Sequence, residues 1–209
     1  MKKLLFAVSA LAALSLLAPS AGFAQHELSS NNQVGLFLTP DGTGGTGSSN
    51  IGVPVSVYLV LINPTDGTET PYANMNAFEC MLNFTGPNLF KLADTLPPTS
   101  VNVGDNSDIN QGFLEYIVGL GVSMDVTAGS ATLISFQFMT VSVDPTYISL
   151  TPANAASVPG QMVFQSTVGD LRQMYNAAGT AGAVVFTFND TGVIPVEDAS
   201  FGSVKALYR

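Results

Sequence analysis

The chain has 209 residues and a formal net charge of −9 at pH 7, from six basic and fifteen acidic side chains. Such an acidic chain repels phosphate backbones and anionic lipid surfaces, so its charge argues against nucleic-acid binding and membrane-surface binding. It contains one cysteine and one histidine. An intrachain disulfide is therefore excluded. Serine triads and histidine-based zinc sites are also disfavoured, because His26 lies close to the start of the chain.

The first residues have the order of a secretory signal peptide. Lys2 and Lys3 form a positive n-region, an apolar h-region follows, and small residues lead up to Ala24. The apolar run is about 14 residues long, shorter than the roughly 20 that a helix needs to cross a bilayer. We therefore predict a signal-peptide helix at residues 1–24. Residues 25–209 are predicted to form a single secreted or periplasmic domain, with no membrane insertion after cleavage.

Beyond this leader, apolar residues recur mostly with period two, which is typical of β-strands. A first strand is predicted at 33–38, and a glycine-rich loop at 39–50 separates it from an alternating strand at 52–63. Residues 169–179, between glycines, are the one stretch predicted to form a helical turn. Turn signals recur at short intervals, which favours an all-β sandwich over βαβ units. Further strands are predicted at 74–84, 88–94, 100–103, 113–120, 130–143, 147–151, 161–165, 183–189 and 203–208.

Cys80 lies in an alternating pattern, on the same predicted strand face as Phe78 and Leu82. This placement predicts a buried, small apolar side chain. A catalytic thiol would need a nearby base, and the only histidine is far away along the chain. We therefore interpret Cys80 as structural.

Paired carboxylates are the one catalytic device that the composition allows, because two of them can hydrolyse a glycoside. Glu79 and Glu115 are the candidates, each on a predicted strand. The pleat predicts that both face solvent, so catalysis by this pair is the weaker interpretation.

Oxygen-bearing side chains cluster in the segment GDNSDIN, at residues 104–110. Asp105, Asn106, Asp108 and Asn110 are the predicted ligands of a calcium ion, which prefers such hard oxygen donors. Counted from Asp105, the segment has no glycine at position six and no glutamate at position twelve of an EF-hand loop. A solvated turn rich in Asx residues is the alternative interpretation. No other cofactor is predicted.

Three segments together resemble the cohesin-like domains and their β-sandwich relatives in bacterial carbohydrate-binding modules. GVPVSVYLVLINP resembles an early V-x-V-x-V strand, and MNAFECMLNF resembles the strand that follows it. AGSATLISFQFMTVSVDPTYISLT resembles the later long strand with its short successor. The resemblance implies a cohesin-like or immunoglobulin-like sandwich of roughly eight to ten strands. Cohesins bind dockerins in cellulose-degrading assemblies, so it also implies a protein partner.

The end of the chain, VIPVEDASFGSVKALYR, resembles the closing segment of a group of secreted bacterial proteins with cohesin-like domains and no established activity. The matching residues are Val196, Glu197, Ser200, Phe201, Gly202, Val204, Lys205, Leu207, Tyr208 and Arg209.

We therefore predict a non-catalytic extracellular or cell-surface module for protein binding or assembly. A carbohydrate-binding module is the first alternative, and it would need at least two aromatic rings on one accessible face. The chain has no tryptophan, so the candidate sugar-stacking residues are Tyr58, Tyr72, Tyr116, Tyr147 and Tyr175. A secreted hydrolase using Glu79 and Glu115 is the second alternative.

Overall fold

The computed structural model describes residues 31–47, 50–86, 89–180 and 182–190. The predicted signal peptide, the strand at 203–208 and the closing motif lie outside these residues. The described part of the chain forms twelve β-strands and one short 3-10 helix, and it has no helix long and apolar enough to span a bilayer. The strands are β1 (Gln33–Phe37), β2 (Thr46–Gly47), β3 (Pro54–Ile62), β4 (Asn74–Thr85), β5 (Leu89–Thr95), β6 (Ser100–Asn102), β7 (Phe113–Asp125), β8 (Ser130–Thr140), β9 (Thr146–Thr151), β10 (Met162–Ser166), β11 (Leu171–Asn176) and β12 (Val184–Phe188), with the 3-10 helix (Ile109–Gln111) before β7.

The strands form two layers, as the alternating sequence predicted. The front sheet has the order β1-β3-β8-β5 and is antiparallel. In the back sheet, β4 pairs with β7 on one side and with β9 and β10 on the other, while β6 extends the sheet beyond β7. β11 pairs with β10 and, in parallel, with β1, so it joins the two layers at one edge. β12 pairs with β9 and with β2.

Aromatic side chains fill the space between the two sheets. Phe136 of β8 packs edge-on against Tyr116 of β7, with ring centroids 5.8 Å apart, and stacks on Phe138 at 5.1 Å. Phe138 in turn meets Phe188 of β12 at 6.0 Å. Offset and edge-to-face rings of this kind add to the free energy gained by burying apolar area. The aromatic side chains of the core therefore join the two sheets of the sandwich.

The predicted structural role of Cys80 is confirmed. Its side chain is fully buried in the core between Phe78 and Leu82, and it forms no disulfide. Burial, with a smaller contribution from the charge of Glu79, raises the pKa of the Cys80 thiol to about 12. The thiol is therefore protonated at neutral pH and packs as a small apolar group.

The helical turn predicted at 169–179 is wrong, because this segment contains β11. Its glycines do not cap a helix: Gly169 and Gly179 both have left-handed φ values, near +90°, and form the turns at either end of the strand. Met174 and Asn176 point inward and are buried. Pairing with β10 and β1 thus outweighs the weak local preference of the segment.

Residues 152–161 interrupt the edge of the sheet beside β4, and we call them the strap. β9 pairs with β4 at residues 81–85, and β10 pairs with the same edge of β4 at residues 75–79. The two strands lie one after the other along β4, and the strap connects them outside the ladder. It is therefore placed to cover the outer face of the back sheet.

Candidate binding surface

An open groove of about 310 Å³ lies on the outer face of the back sheet. Three of its side chains are strongly exposed, Val101 at 64%, Val103 at 74% and Leu171 at 47%. Apolar residues that stay in contact with water in this way are typical of contact surfaces when they are contiguous. The apolar side chains that line the groove are Ala77, Val101, Val103, Ile117, Val163 and Leu171.

Strand register explains why a depression forms here. Gly119 of β7 pairs with Val101 of β6 on one side and with Ala77 of β4 on the other, so two small residues lie side by side. No atom lies within 4 Å of the position that a Cβ on Gly119 would occupy. The small residues Gly119 and Ala77 form the floor of the groove. The larger side chains of Ile117 and Val163, at the next position on the same face of the strands, form one side of it.

The strap borders the groove at Ser157, and two buried carboxylates hold the strap in place. Glu79 is only 4% exposed, and its two oxygens accept hydrogen bonds from the backbone N–H (2.7 Å) and the hydroxyl (2.9 Å) of Ser157. Glu115 is 8% exposed and accepts from the backbone N–H of Asn154 and, at 3.4 Å, from that of Asp105. Hydrogen bonds to a charged acceptor are stronger than neutral ones, so these carboxylates fix the strap against β4 and β7.

The prediction that Glu79 and Glu115 face solvent is therefore wrong. Strand alternation does place both on the outer face, but the strap covers that part of it. Each carboxylate binds backbone N–H groups of neighbouring loops, and neither is open to a substrate.

The charge of the described residues is unbalanced. Arg172 of β11, beside Leu171, pairs with Asp170 at 3.1 Å, and its Nε donates to the hydroxyl of Tyr72 at 3.1 Å. These contacts, the Tyr72 hydrogen bond above all, raise the pKa of Arg172. Lys91, the other basic residue in the described part of the chain, pairs with Asp94 at 2.9 Å. Both described cations thus have a carboxylate partner, and most of the remaining surface charge is negative.

The residues predicted to bind calcium do not all point to one place. Asp105 accepts hydrogen bonds from the backbone N–H and the hydroxyl of Ser107, which lower the pKa of Asp105. Asp108 caps the 3-10 helix by accepting from the backbone and side-chain nitrogens of Asn110, both at 2.8 Å. The side chain of Asn106 turns away from this loop.

These contacts are those of an Asx-rich turn, the alternative interpretation. In the ranges that the structure describes, no three His, Cys, Asp or Glu residues form a group that could hold a metal ion. The calcium site stays a prediction.

A polar cluster between the sheets escaped the sequence interpretation. Asp94 Oδ2 accepts hydrogen bonds from the Tyr116 hydroxyl (2.7 Å), Lys91 Nζ (2.9 Å) and Asn106 Nδ2 (2.7 Å). Burial opposes ionisation of Asp94, but the three donors together outweigh it and hold the pKa of this carboxyl below its usual value. Burial, and then the bond to Asp94, raises the pKa of Tyr116. The signal in the sequence is a lysine in an otherwise inward-facing strand position.

The tyrosines do not form a sugar-stacking platform in the described residues. Tyr116 is fully buried, and the other candidates are partly buried. The partly buried rings are Tyr58, Tyr72, Tyr147 and Tyr175.

Comparison with solved structures shows that the fold is cohesin-like. The chain is similar to a type II cohesin domain from the cellulosome of Acetivibrio cellulolyticus, with a TM-score of 0.52 and 15% sequence identity over 76% of this chain and 95% of that domain. It is also similar to a type II cohesin dyad from the adaptor ScaA scaffoldin of the same organism, with a TM-score of 0.50 and 17% identity over 77% of this chain and 48% of that one. No protein-family model and no curated protein matches the chain.

Proposed function

We propose that this chain is a non-catalytic protein-binding module and that the groove on the back sheet is its contact surface. The observation that carries the proposal is the exposure of Val101, Val103 and Leu171 around a floor of small residues. Burying such side chains against a partner removes apolar area from water, which is the main driving force of protein association.

The groove suits a protein better than a sugar or a substrate. Aliphatic side chains offer no flat ring on which a sugar face can stack, and the tyrosines named above are buried or partly buried. The hydrolase alternative depends on Glu79 and Glu115, whose oxygens already bind the strap. A shallow apolar groove fits an apolar helix face or strand of a partner.

The negative net charge of the molecule indicates the charge of its partner. Association between oppositely charged surfaces is faster and more selective. We therefore infer a partner whose contact segment carries a net positive charge. The likeness to cohesins supports a dockerin-like partner, and the leader sequence supports export to the periplasm or the cell exterior.

A capture experiment with matched variants tests this function. The purified mature protein is used as bait in envelope and secreted extract of the source cells, beside Val101→Glu/Val103→Glu and the control Val143→Glu. Val143 is 71% exposed and lies outside the groove. We expect wild type and the control to retain one specific protein that the double variant loses. Equal retention by all three, or no specific protein with wild type, would contradict the proposal.

A further inference from the structure

Lys91 points into the sandwich instead of into solvent. It pairs with the core residue Phe138 across the β5–β8 ladder, and its side chain is only 14% exposed. Its amine lies 2.9 Å from Asp94 Oδ2, and it also donates to the backbone carbonyl of Asn106. The ion pair holds the amine in a fixed direction, which an intramolecular reaction requires. A lysine acts as a nucleophile only after its ammonium has lost a proton.

The side-chain amide of Asn106 lies beside that amine. Asn106 Nδ2 donates to the same carboxylate oxygen, at 2.7 Å, so one atom of Asp94 holds both nitrogens. The Tyr116 hydroxyl is the third donor to this oxygen and comes from β7 of the opposite sheet. Amine and amide are thereby held next to each other, and such positioning replaces an improbable encounter with a local reaction.

We propose that Lys91 and Asn106 form an intramolecular isopeptide bond. The Lys91 ammonium first loses one proton to water at the partly exposed edge of the cluster. The neutral Nζ then attacks Cγ of Asn106, a new Nζ–Cγ bond forms, and the Cγ–Nδ2 bond breaks. One of the two remaining Nζ protons stays on the new amide. The other passes through Asp94 to Nδ2, which leaves as ammonia.

Asp94 is the catalytic residue of this reaction, because its Oδ2 contacts both reacting groups and carries the proton between them. Tyr116 is a positioning residue: its hydroxyl donates to Asp94 Oδ2 and also hydrogen-bonds with the Asn106 side chain, but it takes no part in the bonds that form and break. The reaction consumes no oxidant and no cofactor, and its other products are ammonia and the proton that Lys91 first gave to water.

The bond would join β5 of the front sheet to the segment that leads into β7 of the back sheet. It would close a covalent loop between residues 91 and 106, and such a cross-link stabilises a fold chiefly by restricting the unfolded chain. The chain has a single cysteine and cannot form an internal disulfide. The isopeptide bond would therefore tie the two sheets covalently where a disulfide cannot.

Mass spectrometry of the purified full chain tests the proposal directly. We expect the intact mass to be lower, by one molecule of ammonia, than the mass calculated from the residues that the purified protein contains. Lys91 is the one basic residue between positions 4 and 171, so trypsin must cut there to divide that stretch. Because trypsin does not cut after an acylated lysine, the denatured protein should stay uncut at Lys91.

Three variants separate the bond from an ordinary ion pair. Lys91→Gln should show the full encoded mass. Asn106→Asp should lose one molecule of water instead of ammonia, because a carboxyl group now supplies the carbonyl carbon. Asn110→Ala, in the same segment and outside the cluster, should react as wild type does. Wild-type protein with its full encoded mass, and with normal cleavage at Lys91, would overturn the proposal whether or not any variant folds. This result is independent of what the groove binds.

Discussion

The two faces of the β4–β7 pair carry residues of the same strands in opposite surroundings. On the inner face, Phe78 and Tyr116 are sealed in the core. On the outer face, the next residues along the strands, Glu79 and Ile117, lie beneath or beside the strap, and the floor at Gly119 is open. Strand alternation determines the face of the sheet to which a side chain points. Whether that face is exposed to solvent depends on a loop from elsewhere in the chain. The inner face therefore provides stability, and the outer face is the one to which we assign binding.

The largest difference between the faces should come from removing a core ring. Phe78→Ala is expected to lower the free energy of unfolding by about 3–5 kcal/mol, because Phe78 is 2% exposed and its removal leaves a cavity. Urea unfolding measures the change. The control Phe90→Ala removes a ring that is 47% exposed on β5, and its cost should stay below about 1 kcal/mol. Equal costs for both variants would contradict the inner-face assignment.

The covered part of the outer face should show an intermediate effect. Glu79→Ala removes the acceptor of the Ser157 N–H and hydroxyl, and it should cost about 1–3 kcal/mol. Hydrogen exchange at the Ser157 amide should accelerate at the same time. Glu79→Gln keeps one acceptor oxygen and should lie between the variant and wild type. Unchanged exchange in Glu79→Ala would mean that the carboxylate does not hold the strap.

The exposed loop before β7 should show a smaller effect. Asp108→Ala removes the cap of the 3-10 helix, and we expect a loss of about 0.5–1 kcal/mol. Thermal unfolding with added calcium and with EDTA tests the predicted calcium site in the same proteins. An unfolding midpoint that calcium raises in wild type, and not in Asp108→Ala, would confirm the site. Identical midpoints with calcium and with EDTA would contradict the calcium site and favour the Asx-rich turn.

The smallest effect on stability should come from the open part of the outer face. Val101→Ala removes two methyl groups that are mostly in water already, so unfolding should change by no more than about 0.5 kcal/mol. Partner capture by this variant should nevertheless weaken. A large loss of stability with no loss of capture would reverse the roles that we assign to the two faces.

Period-two patterning predicted most of the fold, because a strand buried on one side must alternate its side chains. It placed the strand around Cys80 and the burial of that thiol, and the family resemblance added the cohesin-like sandwich. It could not predict β11, since Leu171–Asn176 owes its conformation to two neighbouring strands rather than to its own residues.

The candidate site was less predictable for a related reason. The groove depends on the register that brings Gly119 beside Ala77, and register between distant strands is not visible in either strand alone. The burial of Glu79 depends on the strap, about 75–80 residues further along the chain. The cluster at Asp94 likewise gathers residues from two sheets and a loop. Local sequence thus predicts secondary structure, while tertiary contacts determine which polar side chains are buried and what they bind.

β5 is the outermost strand of the front sheet, and in the described residues it pairs only with β8. Its register shifts between Lys91 and Ala93, and Lys91 turns inward at that irregularity. A bulge is one of the devices by which natural sheets prevent another strand from adding to an edge. The irregularity in β5 therefore protects this edge of the front sheet against pairing with a strand of a second molecule.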